Sequence, residues 1–195
     1  MFYRLVLVSF LIVFFSCSSH QYKNPHVRIE TAKGDIEVEL FPAQAPKSVA
    51  AFLRNVDSGY YKNTSFYRIL SSSNQAAGSD KSRLIQGGLW KTKYKLSASL
   101  PGVPHETTQQ TKITHTDGTV SFARGAPGTA STEFFICIGD QHGFDYGGSN
   151  NPDGQGYAAF GRVVSGMKVV MDIYNSPEDE QDFDPPIDIY NIVRL

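Results

Sequence analysis

Residues 119–138 read TVSFARGAPGTASTEFFICI and contain two apolar runs separated by a turn. The first run spans Thr119–Ala123 and the second spans Glu133–Ile138. Both are short and rich in β-branched and aromatic residues, which is typical of strands. The Gly- and Pro-containing run 124–128 between them favours a break in regular structure. This stretch therefore predicts two short strands of a mainly β protein.

The second of these strands has two different faces, because side chains alternate across a strand. One face is wholly apolar and suits a barrel interior: Phe134, Ile136 and Ile138. The other face is mixed: Glu133, Phe135 and Cys137. A phenylalanine beside a carboxylate fits a binding surface better than a core, although Phe135 could also lie beneath a loop.

Strand and helix patterns continue on both sides of this stretch. Further short apolar runs predict strands at residues 27–31, 36–40, 66–70, 84–88, 157–164 and 187–195. Two runs have helical spacing: one begins at Pro46 and repeats apolar residues from Val49 to Val56, and the other extends from Met167 to Tyr174. Seven or eight short strands with two helices predict an antiparallel barrel closed on itself, with helices covering its open ends.

The remaining segments are polar and are predicted to be loops: Ser71–Ser82, Lys91–Gly118, Gln141–Gly156 and the acidic Pro177–Pro186. The acidic segment reads most simply as a solvated surface. Because polar loops contribute few buried contacts, we expect Ser71–Ser82 to shape access of the substrate to a site and not to stabilise the barrel.

The first 25 residues read as a targeting segment followed by a tether. Residues 1–16 contain an eleven-residue apolar run after Arg4, which is too short for a stable membrane span. A small residue precedes Cys17, which resembles a bacterial lipoprotein processing site. We therefore predict lipidation at Cys17, a tether at 17–25 and a folded domain at 26–195. An ordinary secretory signal and an uncleaved anchor are the alternatives.

This reading predicts a protein of the cell envelope, attached through the lipid at Cys17 to a bacterial membrane on its periplasmic side or in the outer membrane.

The composition of the chain excludes other classes of protein. Lys and Arg number 18 against 19 Asp and Glu, so the basic excess of a nucleic-acid-binding protein is absent from the sequence. Two cysteines cannot form a disulfide framework. His115 and His142 stand alone in predicted loops, where we expect structural or solvent-exposed roles.

Several separated motifs occur in an order that identifies a family. They are Phe66-Tyr67-Arg68-Ile69, Gln86-Gly87-Gly88, Ser121-Phe122-Ala123-Arg124, Glu133-Phe134-Phe135-Ile136, Asp145-Tyr146-Gly147-Gly148 and residues 154–163. With them, the chain resembles the cyclophilin family of peptidyl-prolyl isomerases from about Val27 to Leu195. The resemblance implies an eight-stranded antiparallel β-barrel capped by two α-helices. It also implies an enzyme that isomerises X–Pro bonds in proline-containing polypeptide clients.

The same resemblance assigns roles to residues. Arg68 matches the catalytic arginine, and Gln86 matches the glutamine that orients it. The positions that match the substrate-binding surface are Leu84, Phe122, Ala123, Arg124, Glu133, Phe135, Phe144 and Tyr157. Phe135 would form the floor of the proline pocket and Phe122 part of its wall, while backbone groups of Ala123 and Arg124 would align the peptide.

Some positions depart from the family pattern. Glu133 stands where glutamine is usual, Arg124 where asparagine is usual, and Arg83 where a pocket aromatic is usual. A carboxylate at position 133 could hold Arg68 or Arg124, and it could also slow catalysis. The alternative to an active isomerase is a catalytically weak module that binds proline peptides or acts as a chaperone at a membrane.

The implied reaction needs little chemical equipment. Rotation about an amide bond faces a barrier of about 18–20 kcal/mol but breaks no bond. We therefore expect no metal and no cofactor. An apolar pocket for the proline ring and a fixed donor for the twisted amide are sufficient, and arginine suits the second task because its charged fork is planar. We expect a monomer.

Overall fold

The computed structural model describes residues 22–78 and 81–195. The predicted signal segment 1–16 and the start of the tether, including Cys17, lie outside the described residues. Within the part described, no helix combines the length and the apolar character needed to cross a bilayer.

Short strands dominate the described chain. The strands are β1 (His26–Thr31), β2 (Gly34–Leu40), β3 (Thr64–Leu70), β4 (Leu84–Gly88), β5 (Thr119–Phe122), β6 (Phe134–Cys137), β7 (Ala158–Ser165), β8 (Glu178–Asp179) and β9 (Asp182–Arg194). The helices are α1 (Pro46–Asp57), α2 (Tyr94–Ser99), α3 (Thr108–Thr111) and α4 (Met167–Tyr174), with a 3₁₀ turn at His142–Phe144.

Eight of these strands form a closed ring. Their order is β1-β2-β7-β5-β6-β4-β3-β9, every neighbouring pair is antiparallel, and β1 also pairs with β9. The two-residue β8 pairs with the beginning of β9. The prediction of a closed eight-stranded antiparallel barrel is confirmed.

The barrel interior is filled by the apolar side chains that alternate inward along each strand, and α1 contributes to the same core. The ring of Phe52 in α1 lies 5.7 Å from Phe134 and 5.0 Å from Phe160, centroid to centroid. The first turn of α1 is held by Glu106, whose carboxylate accepts the N–H groups of Lys47 (3.1 Å) and Ser48 (2.7 Å). A negative charge at unpaired helix donors stabilises the helix start.

Two loop predictions are wrong in part. The segment predicted as irregular, Lys91–Gly118, contains the short helices α2 and α3. The acidic segment Pro177–Pro186 is not simply a solvated loop, because it contains β8 and the first residues of β9. Its Phe183 is only 2% exposed and belongs to the main core. One buried ring thus anchors an otherwise acidic hairpin.

A β-bulge in β3 determines which of its side chains point out of the barrel. Phe66 pairs with Gly87 and Arg68 pairs with Gln86, so Tyr67 is an extra residue on β3. Phe66 and Ile69 both point into the core, and the two residues between them line the outer face. Bulges re-aim side chains in this way and are frequent next to active sites.

Candidate active site

A second, smaller apolar cluster lies on the outer face of the barrel. Its buried members are Leu84, Phe135, Cys137 and Phe144, and its partly buried members are Leu70, Ala123 and Tyr157. All of them except Cys137 line a cavity of about 630 Å³ together with polar side chains from several elements. The ring of Phe135 contacts Phe144 at 5.3 Å and Tyr157 at 5.5 Å, centroid to centroid. These rings give the cavity an aromatic floor and wall.

His115 supports this floor from behind. It is fully buried and its ring stacks on Phe135 at 5.9 Å. Its Nδ1 lies 2.8 Å from Asp145 Oδ1 and its Nε2 lies 3.0 Å from Ser121 Oγ. Burial lowers the pKa of His115, although Asp145 opposes that shift. The predicted structural role fits this position, whereas solvent exposure of His115 is wrong.

Arg68 lies half-buried at the polar rim of the cavity. Its Nη1 donates to Gln86 Oε1 at 3.3 Å, and its Nη2 donates to Gln181 Oε1 at 2.8 Å. Two amide oxygens, one from β4 and one from the turn between β8 and β9, therefore hold one guanidinium. The Gln86 contact is the one that the sequence predicted, and Gln181 is an addition from the acidic hairpin.

Glu133 is engaged by partners that the sequence did not indicate. Its Oε1 accepts from the N–H groups of Leu89 (2.8 Å) and Trp90 (3.0 Å) and from the Thr132 hydroxyl (2.9 Å). Its Oε2 accepts from the Tyr67 hydroxyl at 2.7 Å. Burial raises the pKa of the Glu133 carboxyl, and these donors limit the rise. Glu133 therefore forms no direct ion pair with Arg68 or Arg124.

Arg124 instead forms a fixed rim of the cavity. Its guanidinium makes a bidentate pair with Asp153 at 2.7 and 2.9 Å, and its Nε donates to the Gly156 carbonyl at 2.8 Å. It also lies over the Tyr157 ring, 5.3 Å from the centroid. The hydrogen bonds from Arg124 lower the pKa of Asp153 to about 2. The neighbouring Ala123 lines the cavity, and its N–H donates to the Glu133 carbonyl at 2.8 Å.

The prediction that Phe122 forms part of the pocket wall is wrong. Phe122 is 0% exposed and belongs to the main core, where its ring lies 4.7 Å from that of Phe160. The reason is strand alternation: Val120 and Phe122 point into the barrel, so Ser121 and Ala123 face outward. The remaining predicted site residues other than Cys17 all line the cavity: Arg68, Gln86, Leu84, Ala123, Arg124, Glu133, Phe135, Phe144 and Tyr157.

Several residues that were not predicted for the site also line the cavity: Tyr67, Leu70, Trp90, Lys91 and Asp182. Lys91 and Asp182 form an ion pair of 2.8 Å between two of its walls. Leu70 had a visible signal, because it ends an apolar strand. Asp182 had none, because its segment reaches the site only through the pairing of β3 with β9.

The outer face of a closed barrel thus carries an apolar cavity with a fixed arginine at its rim. Among residues 22–78 and 81–195 no cluster of three or more His, Cys, Asp or Glu side chains could hold a metal ion. Such a site can bind an apolar ring and direct hydrogen-bond donors at the amide next to that ring, as a prolyl isomerase requires.

Comparison with known proteins identifies the family. The family model "cyclophilin type peptidyl-prolyl cis-trans isomerase/CLD" matches residues 26–194, and the chain belongs to this family. It is therefore a peptidyl-prolyl cis-trans isomerase, enzyme class EC 5.2.1.8.

Relatives from several organisms agree with this assignment. The peptidyl-prolyl cis-trans isomerase of Acinetobacter baylyi is 32% identical over 161 residues, covering 82% of this chain and 77% of the relative. Isomerase cyp18 of Streptomyces antibioticus is 35% identical over 145 residues, covering 74% of this chain and 80% of the relative. A crystal structure of a cyclophilin-type isomerase from Cryptosporidium parvum in the presence of the dipeptide Ala-Pro superposes with a TM-score of 0.67 at 26% identity, covering 87% of this chain and 98% of that one.

Proposed function

We propose that this isomerase acts on X–Pro bonds of exported proteins, with Arg68 as its catalytic donor and the aromatic cavity as its proline pocket. The observation that carries the proposal is the double hold on Arg68 by Gln86 and Gln181 at the rim of that cavity. The Cryptosporidium structure in the presence of Ala-Pro supports proline-containing peptides as ligands of this fold.

The proposed mechanism follows from the electronic change in a twisting amide. As the bond rotates, resonance is lost and the proline nitrogen becomes a better hydrogen-bond acceptor. A donor that already points at this nitrogen stabilises the twisted state more than the planar one, which lowers the barrier. Because Gln86 and Gln181 fix the guanidinium beforehand, little reorganisation is needed when the amide twists.

The cavity would hold the ring while the rest of the bond turns. Each buried methylene of the proline contributes about 0.8 kcal/mol, and Leu84, Phe135 and Phe144 supply the apolar surface. Tyr157 closes one side of the cavity, and the Arg124–Asp153 pair stiffens the rim. We propose that the backbone at Ala123 and Arg124 aligns the client chain.

The Arg68→Ala substitution tests the catalytic proposal. The full chain, purified in detergent, should keep its circular dichroism spectrum and melting temperature but lose two to three decades of kcat/KM, or about 3–4 kcal/mol of transition-state stabilisation. Arg68→Lys is the matched variant, since it keeps the charge and loses the fork. Wild-type turnover in folded Arg68→Ala would exclude Arg68 as the donor.

The proposed location rests on the sequence before the barrel. An apolar run followed by Cys17 supports a lipid anchor, and a tether at 17–25 would then separate the membrane from β1. We propose that the enzyme assists folding of exported proteins close to that membrane. In a bacterial host, Cys17→Ser should accumulate as an unprocessed precursor without the mass added by lipid. Identical mass and fractionation of the two forms would contradict lipidation.

A further inference from the structure

A chain of hydrogen bonds connects the proposed catalytic arginine to the carboxylate of the residue that precedes β6. Arg68 Nη1 donates to Gln86 Oε1 at 3.3 Å, and Gln86 Nε2 donates to the Tyr67 hydroxyl at 2.8 Å. The Tyr67 hydroxyl in turn donates to Glu133 Oε2 at 2.7 Å. Four side chains thus form one continuous relay.

The chemistry of the two ends sets the direction of this relay. An ionised carboxylate only accepts hydrogen bonds, so Glu133 takes the proton of the Tyr67 hydroxyl. The hydroxyl oxygen is then an acceptor toward Gln86, which therefore presents its NH₂ group to Tyr67. The carbonyl oxygen of the same amide must face Arg68, a side chain that only donates. Each of the three links in the relay therefore pairs one donor with one acceptor.

The Glu133 carboxylate at the end of the relay is fixed by the residues around it. Three donors hold Oε1, namely the N–H groups of Leu89 and Trp90 and the hydroxyl of Thr132. Gly88 makes room for it, since a Cβ at that position would lie 2.5 Å from Oε2, and its φ of +145° suits glycine. Oε2 is thereby directed at Tyr67, whose hydroxyl keeps its proton because burial and the nearby carboxylate raise its pKa.

We infer that Tyr67 and Glu133 are positioning residues for Arg68, which act by fixing the orientation of the Gln86 amide. This role rests on the proposed function of Arg68. It differs from direct contact with substrate, the role that the family resemblance implies for position 133. Tyr67 has no such assignment.

The relay predicts that Glu133→Gln reverses the direction of its hydrogen bonds. Oε1 must remain an oxygen, because three donors point at it. The new NH₂ group therefore takes the place of Oε2 and donates to the Tyr67 hydroxyl. The hydroxyl proton then turns to Gln86, whose oxygen rotates toward Tyr67 and whose NH₂ group rotates toward Arg68. A substitution that preserves shape thus reverses the relay and opposes two donors at its end.

A mutant cycle with Gln86→Ala tests the positioning role. Tyr67→Phe and Glu133→Gln should each lower kcat about tenfold with KM little changed, the effect of one lost orienting hydrogen bond. In the Gln86→Ala background, neither substitution should change kcat by more than about twofold, because the amide that they orient is gone. Tyr61→Phe is the matched control: it removes a buried hydroxyl that donates to the Thr132 carbonyl at 3.0 Å, and it should leave kcat unchanged.

Each outcome of the cycle is decisive. Equal losses of kcat with and without Gln86 would show that Tyr67 acts on the fold as a whole and would overturn its positioning role. Wild-type kcat in both single variants, with Arg68→Ala inactive, would overturn the relay while leaving the function of Arg68 intact. An active Arg68→Ala would remove the proposed catalytic role of Arg68, on which the positioning role depends. If Tyr67→Phe does not fold, the Glu133→Gln pair decides alone.

Discussion

Replacing Phe122 and Phe135 by leucine, one at a time, separates the barrel core from the proline pocket. Both rings are almost completely buried, at 0% and 2% exposure, so burial alone does not distinguish them. Their surroundings do. Phe122 packs against Phe52 and Phe160 inside the barrel, whereas Phe135 packs against His115 on one side and borders the cavity on the other.

The expected effects follow from these surroundings. Leucine lacks three of the ring carbons of phenylalanine, and at about 0.8 kcal/mol for each buried carbon, Phe122→Leu should cost about 2 kcal/mol of the free energy of unfolding. For a domain of this size that is a fall in Tm of about 4–8 °C. Phe135→Leu should cost about 1 kcal/mol, since part of its ring borders the cavity. Phe122→Leu should leave kcat/KM within about twofold, while Phe135→Leu should lower it about tenfold through loss of the pocket floor.

The measurements are urea unfolding, thermal melting and turnover on an X–Pro peptide, all on the same preparations of the full chain. A folded Phe122→Leu with a larger loss of kcat/KM than Phe135→Leu would refute the reasoning. It would return Phe122 to the pocket wall, where the family resemblance places it.

Other regions of the molecule give further predictions. Gln181→Ala should lower kcat/KM about three- to tenfold, because it releases Arg68 Nη2. The melting temperature should be preserved, because the backbone hydrogen bond from Ile69 N–H to the Gln181 carbonyl remains. Glu180→Ala at the exposed neighbouring position is the control, and equal turnover of the two variants would show that Gln181 does not hold Arg68 for catalysis. Because burial lowers the pKa of His115 below 6.5, its unfolded form binds the extra proton, so the free energy of unfolding should fall between pH 7.5 and pH 5 by at most about 1.4 kcal/mol per pH unit. Urea unfolding of His115→Gln should show a shallower fall, and an unchanged slope would contradict the assignment. Shortening residues 72–81 to a tight turn should change the ranking of X–Pro peptides with little change in Tm; an unchanged ranking with a much lower Tm would make the segment structural.

Alternation along single strands could be predicted from the sequence, and the side chains of β6 follow it. The pattern in β6 predicts Phe134 and Ile136 inside the barrel and Phe135 outside, as the structure has them. The same rule puts Phe122 inside the barrel, where the structure has it, whereas the family resemblance implies a place in the pocket wall. Local pattern was the better guide at that position.

Contacts between distant segments could not be predicted in this way. Gln181 reaches Arg68 across 113 positions of the chain, and only the pairing of β3 with β9 brings them together. The partners of Glu133 are similar, since two of them are backbone N–H groups whose direction depends on the turn after β4. Residue types alone suggested ion pairs with arginine, the commoner use of a carboxylate.

The bulge in β3 also determines how freely its residues can vary in evolution. Counting from Phe66 to Ile69, removal of Tyr67 would restore an ordinary two-residue repeat, with Phe66 inside, Arg68 outside and Ile69 inside. Tyr67 is therefore the extra residue of the bulge, and it takes no part in the alternation of inward and outward side chains along the strand. Phe66 and Ile69 pack in the main core, whereas Tyr67, although only 5% exposed, lies outside that cluster. Selection can change the group that touches Gln86 one residue at a time, so the strength with which the arginine is held can be adjusted without rebuilding the barrel.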